Sequence, residues 1–305
     1  MVNKITNLLI TGATGTQGGA VLSEAIKSRY NIRALVRNKN SNSAIELKNK
    51  GIEVVEGNWD DLTSLEKALE GIDGVFAVTV PSSDPKDVNQ ESKQAKNLIT
   101  ASENQNIEKF VQTSVARTGD HMNFKYWGEE YWSENYWIQK EKVENMVKNS
   151  KLKHWTILKP AYMMENWLPK RAKHFFPELQ NNLLKSAFNS DSKIDLISAI
   201  DIGKFTIKAF ESKEKFDGKS IELASESLTI TQIASKISEI TGKSIEVKSV
   251  SPEEMIEEGS SPGIVRSQEW NNVEGYNVDI NSAKNYGIEL LSLNDWLNIH
   301  KSKFG

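Results

Sequence analysis

The chain has 305 residues, 38% of them hydrophobic and 26% charged, with 38 basic against 41 acidic side chains and a formal net charge of -3. That length holds one large α/β unit with a smaller appended part, and that charge balance excludes a bulk field drawing the whole protein to nucleic acid. With 0 cysteines and only 4 histidines, none in an HExxH spacing, disulfides and thiolate catalysis drop out and no metal site is expected.

The opening MVNKITNLLITG has a short apolar run but not the small-residue cleavage site of a secretory signal, and no run is long enough for a bilayer span. A cytoplasmic protein is expected. Leu8, Leu9 and Ile10 read as a buried strand, followed at once by Thr11-Gly12-Ala13-Thr14-Gly15-Thr16-Gln17-Gly18-Gly19 and a helix over Ala20 to Ala25. A glycine-rich turn between strand and helix brings backbone N–H groups close to a pyrophosphate, and the positive end of the helix offsets its charge. The candidate cradle is Gly12, Thr14, Gly15, Thr16, Gln17 and Gly18. A glycine turn can also be purely structural, and the spacing here, Gly-x-x-Gly-x-x-Gly, departs from the common dinucleotide fingerprint.

Ile32 to Val36 is a second apolar run, followed by Arg37 and Lys39 where a carboxylate would grip the ribose hydroxyls of NAD. Cations there favour a 2′-phosphate and hence NADP(H), with NAD(H) as the alternative; the bland reading is two lysine- and arginine-type charges facing solvent. Ile52 to Glu56 is a third strand, after which Asp60 is placed to accept from an adenine amino group, while Asp61 or Thr63 caps the next helix. Gly74 to Val78 is a fourth strand, and the loop Thr79-Val80-Pro81 would pass beneath the cofactor ribose, which makes Thr79 and Pro81 binding candidates.

Val88 to Ser102 reads as a helix, and the strand around Phe110 and Val111 ends in Gln112-Thr113-Ser114. Strands alternating with helices predict a parallel sheet with its crevice at the carboxyl ends, so topology puts Ser114 there. Residues 121 to 138 then gather Phe124, Tyr126, Trp127, Tyr131, Trp132, Tyr136 and Trp137, as a pocket wall, an interface or a packing layer. A helix over Glu134 to Asn149 carries Tyr136 and Lys140 four apart on one face, where a cation favours the phenolate. Tyr136, Lys140 and Ser114 are the catalytic candidates, although Y-x-x-x-K also arises by chance on helices.

Trp155 to Lys159 is the sixth strand, and Pro160 marks its end and stiffens the loop to Asn166, where a nicotinamide would lie. Trp167 to Phe176 is helical, basic and aromatic; Asp201 to Phe210 a helix; Ser220 to Leu223 a strand. Thr229 and Gln232 form a capping-box pattern before Ile233 to Ile240, Ile245 to Val250 is a strand, Pro252 to Glu258 an acidic helical turn and Leu290 to Ile299 a terminal helix. Gly259 to Val273 is read as partly irregular. The expected organisation is a doubly wound, Rossmann-type parallel sheet over residues 1–160, completed by parts of 190–225, and a smaller α/β domain over 161–305.

The Thr11 to Gly19 turn, Arg37, Asp60, the Pro160 to Asn166 loop and Asp201-Ile202-Gly203 together resemble the NmrA-like branch of the atypical short-chain dehydrogenases/reductases. The resemblance implies NAD(P) binding by a Rossmann domain and supports NADP through Arg37. It leaves two kinds of activity open. Some members reduce quinones, dyes or phenylpropanoid-type compounds; others are redox sensors that bind regulatory proteins such as GATA-type transcription factors and lack the catalytic tyrosine while often keeping the lysine, matching Lys140 here. Tyr136 departs from the sensor pattern. An NADPH-dependent oxidoreductase acting on a quinone or aromatic carbonyl compound is expected, as a monomer or homodimer without direct contact to nucleic acid; the alternative is a non-catalytic NADP(H) sensor acting on a regulatory protein.

Overall fold

The computed structural model describes residues 5–304 except Ser83 and Pro85; the first four residues of the opening stretch read for a leader lie outside the described residues. Two compact units divide the chain: residues 1–118, 135–159 and 199–221 form one, and 119–134, 160–198 and 222–305 the other. The backbone passes between them at residues 118, 134, 159, 198 and 221.

In chain order the elements are β1 (Asn7–Thr11), α1 (Thr16–Lys27), β2 (Asn31–Val36), α2 (Asn42–Asn49), β3 (Glu53–Glu56), α3 (Leu62–Leu69), β4 (Gly74–Val78), α4 (Gln90–Asn104), β5 (Lys109–Thr113), α5 (Glu134–Lys148) and β6 (Trp155–Pro160). There follow β7 (Tyr162–Met163), α6 (Pro169–Phe175), β8 (Leu183–Ser186), β9 (Lys193–Ile197), α7 (Ala199–Glu211), α8 (Lys213–Phe216) and β10 (Lys219–Leu223). The remainder is β11 (Glu226–Thr229), α9 (Ile230–Thr241), β12 (Glu246–Ser249), α10 (Pro252–Glu257), α11 (Pro262–Val273) and α12 (Leu293–His300).

The first unit is built on a seven-stranded sheet in the order β10-β6-β5-β4-β1-β2-β3, and the pairings from β3 across to β6 are parallel. Leu8, Leu9, Ile10 and Thr11 of β1 are all sealed from solvent, as a central parallel strand covered on both faces requires. Successive strands run outward from β1 through β2 to β3, and from β4 through β5 to β6. The order therefore reverses between β1 and β4, which opens a crevice at their carboxyl ends. One face carries Leu9, Leu35, Leu65, Leu98, Phe110 and Ile157. On α7, Gly203 meets α1 so closely that a Cβ there would lie 3.0 Å from the Ala20 carbonyl oxygen. This is the Rossmann-type α/β fold the alternation predicts. Helix α1 starts at Thr16, four residues before the predicted Ala20, because the glycine turn itself bends into the first helical turn.

Lys109 at the start of β5 is fully buried, its ammonium 3.3 Å from the Trp155 carbonyl and 3.4 Å from that of Lys213. Burial pulls its pKa down to about 8, against the opposing pull of Asp217 and Glu214. Between about pH 8 and the ordinary lysine value the folded chain has released a proton that the unfolded chain still holds, so stability rises with pH across that window. Below pH 8 the buried charge costs at most about 3 kcal/mol. Lys109→Met is expected to gain part of this at pH 7 and to flatten the rise; denaturant unfolding at pH 7 and pH 10 checks both.

The second unit has two small sheets, β11-β9-β7 and β12-β8. Its core gathers Met164, Trp167, Phe176, Leu184, Ile233 and Trp296. The predicted capping box is present, with Thr229 and Gln232 bonding reciprocally at the start of α9. The segment read as partly irregular, Gly259 to Val273, is instead largely helical: α11 occupies Pro262–Val273, with Pro262 at a first-turn position where its missing N–H costs nothing. Among the described residues, no helix is long and apolar enough to cross a membrane.

Candidate functional site

The crevice begins at the glycine turn after β1, and the three glycines serve different ends. Gly12 takes φ +59, and a Cβ there would come within 2.6 Å of a Val78 methyl carbon. Gly18 lets α1 rest on the turn, since its added Cβ would sit 2.2 Å from the Gly12 carbonyl oxygen and 2.5 Å from that of Thr11. At Gly15 the nearest atom would be 3.2 Å away, so that glycine is the least needed for packing and is left to admit a ligand. The turn is closed by the Gly15 N–H donating to the Gly12 carbonyl at 2.8 Å.

No side chain caps α1 and no acidic residue lies in its first turn, so the positive helix end faces the crevice uncompensated by carboxylate. The side chain of Gln17 is otherwise engaged, accepting from the Thr113 hydroxyl at 2.7 Å, which ties α1 to the end of β5. Ala13 is buried, while Thr14 and Gly15 are exposed. This arrangement can hold a pyrophosphate by main-chain donors.

Arg37 follows β2 directly and is exposed, with no ion pair among the described residues. Lys39 is also exposed; its N–H donates to Glu56 and its carbonyl accepts from Lys48, which fixes the loop and leaves the Lys39 ammonium outward. Asp60 is exposed and already engaged by Lys93 at 3.6 Å and the Gln94 amide at 3.3 Å. Of the two capping candidates, Asp61 is the one that caps α3, accepting from the N–H groups of Thr63 and Ser64.

The catalytic candidates have partners that sequence reasoning did not include. Lys140 on α5 is buried and donates to Glu91 of α4 at 2.6 Å and to the Thr79 carbonyl at 3.2 Å. Glu91 is 1% exposed, and the same carboxylate oxygen accepts the Thr79 hydroxyl at 2.7 Å. The Gln112 amide approaches that hydroxyl at 3.5 Å. Thr79 thus uses its side chain inside the protein, while Pro81 two residues on is exposed. The Lys140 ammonium stands 5.6 Å from the centre of the Tyr136 ring, so the cation is near the phenol with its charge shared by Glu91. Ser114, at the end of β5, has its hydroxyl 3.4 Å from that of Thr118 and its N–H on the Leu158 carbonyl. Pro160 is the buried last residue of β6, as its punctuation role predicts.

Glu91 had a signal in the sequence. On α4 it shares a face with Ala95, Leu98, Ile99 and Ser102, all buried, and a carboxylate on an inward face requires a cation. The aromatic run divides. Phe124 and Trp132 are buried in the second unit, where Phe124 lies 5.4 Å from the Trp270 ring of α11. Tyr131 donates to Glu269 and carries Arg266 over its ring at 4.4 Å; burial, reinforced by Glu269, pushes its phenol up to about 12. Tyr136 and Trp137 belong to α5 in the first unit.

A model of the NmrA-like family matches residues 4–297. The chain belongs to that family. One curated relative, the photosystem II assembly factor Ycf39 of Cyanophora paradoxa, is 29% identical over 213 residues, which cover 68% of this NmrA-like chain and 60% of that protein. The chain therefore spans three fifths of that relative's length. An Escherichia coli NADPH-dependent quinone oxidoreductase, solved complexed with NADPH, superposes with a TM-score of 0.75 at 22% identity over 96% of this chain and 99% of its own. NmrA, a negative transcriptional regulator solved in complex with NADP, gives 0.73 at 18% identity over 99% and 98%. These two share the NmrA-like fold and differ in activity, so the fold alone does not decide between them.

Proposed function

We propose that the chain is an NADPH-dependent oxidoreductase that reduces a quinone or an aromatic carbonyl compound. The observation that carries the cofactor half is the glycine cradle beside a positive helix end, with exposed Arg37 at the end of the neighbouring strand. Backbone donors of Thr16, Gln17 and Gly18 would hold the pyrophosphate, and Arg37, with Lys39 beside it, the 2′-phosphate; NAD(H) is the weaker partner in this reading. Bound NADPH supplies a hydride to an electrophilic carbon. Tyr136 would deliver the accompanying proton to the substrate oxygen, Ser114 would orient that oxygen, and Lys140 would keep its position through Glu91 and Thr79. A quinone-type substrate is supported by the quinone oxidoreductase whose fold this chain shares.

The test is NADPH oxidation with a panel of quinones and aromatic aldehydes, on the parent and on Tyr136→Phe. Turnover above background supports the reductase, and its loss in the variant with NADPH affinity retained assigns the tyrosine. Arg37→Glu is expected to weaken NADPH about 10- to 100-fold and to leave NADH nearly unchanged, the worth of one charge-assisted bond to a phosphate. Titration calorimetry with both cofactors checks it; equal weakening would put Arg37 outside the phosphate site.

One observation favours a second reading. Glu91 takes up the charge of Lys140, which leaves less field for activating the phenol. A non-catalytic NADP(H) sensor that regulates a protein partner needs no such activation. Tight NADPH binding with no turnover on any of the panel selects it.

A further inference from the structure

A cleft of about 390 Å³ opens on the second unit where the parallel strands β8 and β12 end. That volume lies at the small end of the range for ligand pockets, about 300–1,000 Å³. Ala187 borders it directly after β8, Ser249 to Pro252 border it at and beyond the end of β12, and Glu269, Asn272 and Val273 border it from α11. The carboxyl ends of parallel strands are where such folds take ligands. Its walls are fixed by the chain itself. The Val250 N–H donates to the Ser186 carbonyl at 3.0 Å, the Asn189 N–H to the Asn272 side chain at 2.9 Å, and Asn272 donates back to the Ala187 carbonyl at 2.7 Å. Walls already in place have little order left to lose on binding.

The lining limits what can bind. The Asn189 amide and the Ser249 hydroxyl are exposed in the cleft and have no hydrogen-bond partner among the described residues. Ser251 accepts the Glu254 N–H at 3.1 Å and retains its own proton to donate. Glu269 takes the Tyr131 hydroxyl at 2.7 Å on one oxygen and Arg266 at 2.5 Å on the other, so its charge is matched while each oxygen keeps a lone pair. Among the described residues, no lysine, arginine or aromatic side chain lines the cleft. An anion therefore finds no counter-charge there, a cation finds the one carboxylate already paired, and a flat ring finds nothing to stack on. Amides and hydroxyls that both donate and accept match ligand groups that do the same, which are hydroxyls. Val250, Pro252 and Val273 supply apolar surface for the C–H groups between them.

We propose that this cleft binds a neutral, hydroxyl-rich molecule of monosaccharide size. Its residues all belong to the second unit and the glycine turn to the first, so the site stands whether or not the chain is a reductase. The probes are D-glucose, D-ribose and myo-inositol, with cyclohexanol as the control that keeps the ring and one hydroxyl. In saturation-transfer NMR titrations without NADPH, at least one of the three is expected to bind with a Kd of about 1–10 mM, and cyclohexanol at least about tenfold more weakly. Asn189→Ala and Ser249→Ala should each weaken that polyol about three- to tenfold, the worth of one hydrogen bond. Their unfolding temperatures should match the parent's, because neither side chain loses an internal partner. Val273→Trp, at a position 39% exposed, should fill the cleft and abolish binding. No binding of any of the three polyols, equal binding of cyclohexanol, parent-like affinity in all three variants or lowered unfolding temperatures in the two alanine variants overturns the proposal. Saturating NADPH should leave the bound polyol in place; displacement would put it in the nucleotide crevice and overturn the proposal as well.

Discussion

Gly18→Ala is expected to lower both stability and cofactor affinity, and to do so more than any other single methyl added to the turn. The new carbon would be 2.2 Å from the Gly12 carbonyl oxygen, 2.4 Å from the Gly12 carbonyl carbon and 2.5 Å from the Thr11 carbonyl oxygen. All three are main-chain atoms, so no rotamer change relieves the overlap and α1 must lift from the turn. Overpacking of this kind costs about 1–3 kcal/mol, and here the obstructing groups are the stiffest in the chain. Lifting α1 also moves the donors that would face the pyrophosphate. With one charge-assisted bond worth about 1.5–3 kcal/mol, NADPH affinity should fall at least about tenfold. Denaturant unfolding and calorimetric titration measure the two effects. Gly15→Ala is the comparison: its new carbon would meet one main-chain atom, the Gly12 carbonyl oxygen, at 3.2 Å, so it should lose less stability than Gly18→Ala. Parent-like stability in Gly18→Ala would sink the packing argument.

Glu91→Gln is expected to cost about 3–5 kcal/mol, because it strands a buried ammonium whose partner oxygen was 2.6 Å away. The side chains are 8% and 1% exposed, so water screens the pair little. Lys140→Met alone leaves the opposite charge stranded and should cost a similar amount. The double variant Glu91→Gln, Lys140→Met should recover most of the loss, since a neutral amide can still accept the Thr79 hydroxyl and an apolar chain fills the lysine's volume. A coupling near zero in that double-mutant cycle would mean that the two charges are satisfied independently. The cycle also bears on activity: where the reductase reading holds, Lys140→Met disturbs the surroundings of Tyr136, whose ring lies 5.6 Å from the ammonium.

The sheet was legible because its strands are apolar runs separated by helices, and the reversal between β1 and β4 follows from the connection rules. The cradle was legible because glycine spacing reports backbone needs directly. What sequence reasoning missed has a common physical origin, namely polar groups that face inward. Helix α11 hid because its buried side includes Gln268 and Asn271 instead of a stripe of aliphatic residues. Gln268 accepts from the Ala187 N–H, and Asn271 donates to the Lys193 carbonyl. Its neighbour Asn272 accepts from the Asn189 N–H and donates to the Ala187 carbonyl. These amides replace the pairing that the loop backbone would otherwise lack, and a search for apolar periodicity cannot find them. Glu91 hid for the same reason, as a charge on an otherwise apolar face.

The route of the backbone has a consequence for how such a protein can change over generations. Strand β10 joins the edge of the large sheet only after the chain has left the first unit twice and returned. A fragment stopped at residue 160 would leave β6 bare: the Trp155 carbonyl would lose the Gly218 N–H, its N–H the Asp217 carboxylate, and the Thr156 hydroxyl the Phe216 carbonyl. An open ladder of that kind recruits other copies. Recombination that swaps a contiguous tail for another would therefore yield sticky, incomplete sheets. Because the two units interleave along the chain, a single exchange point at residue 160 cannot replace one of them whole.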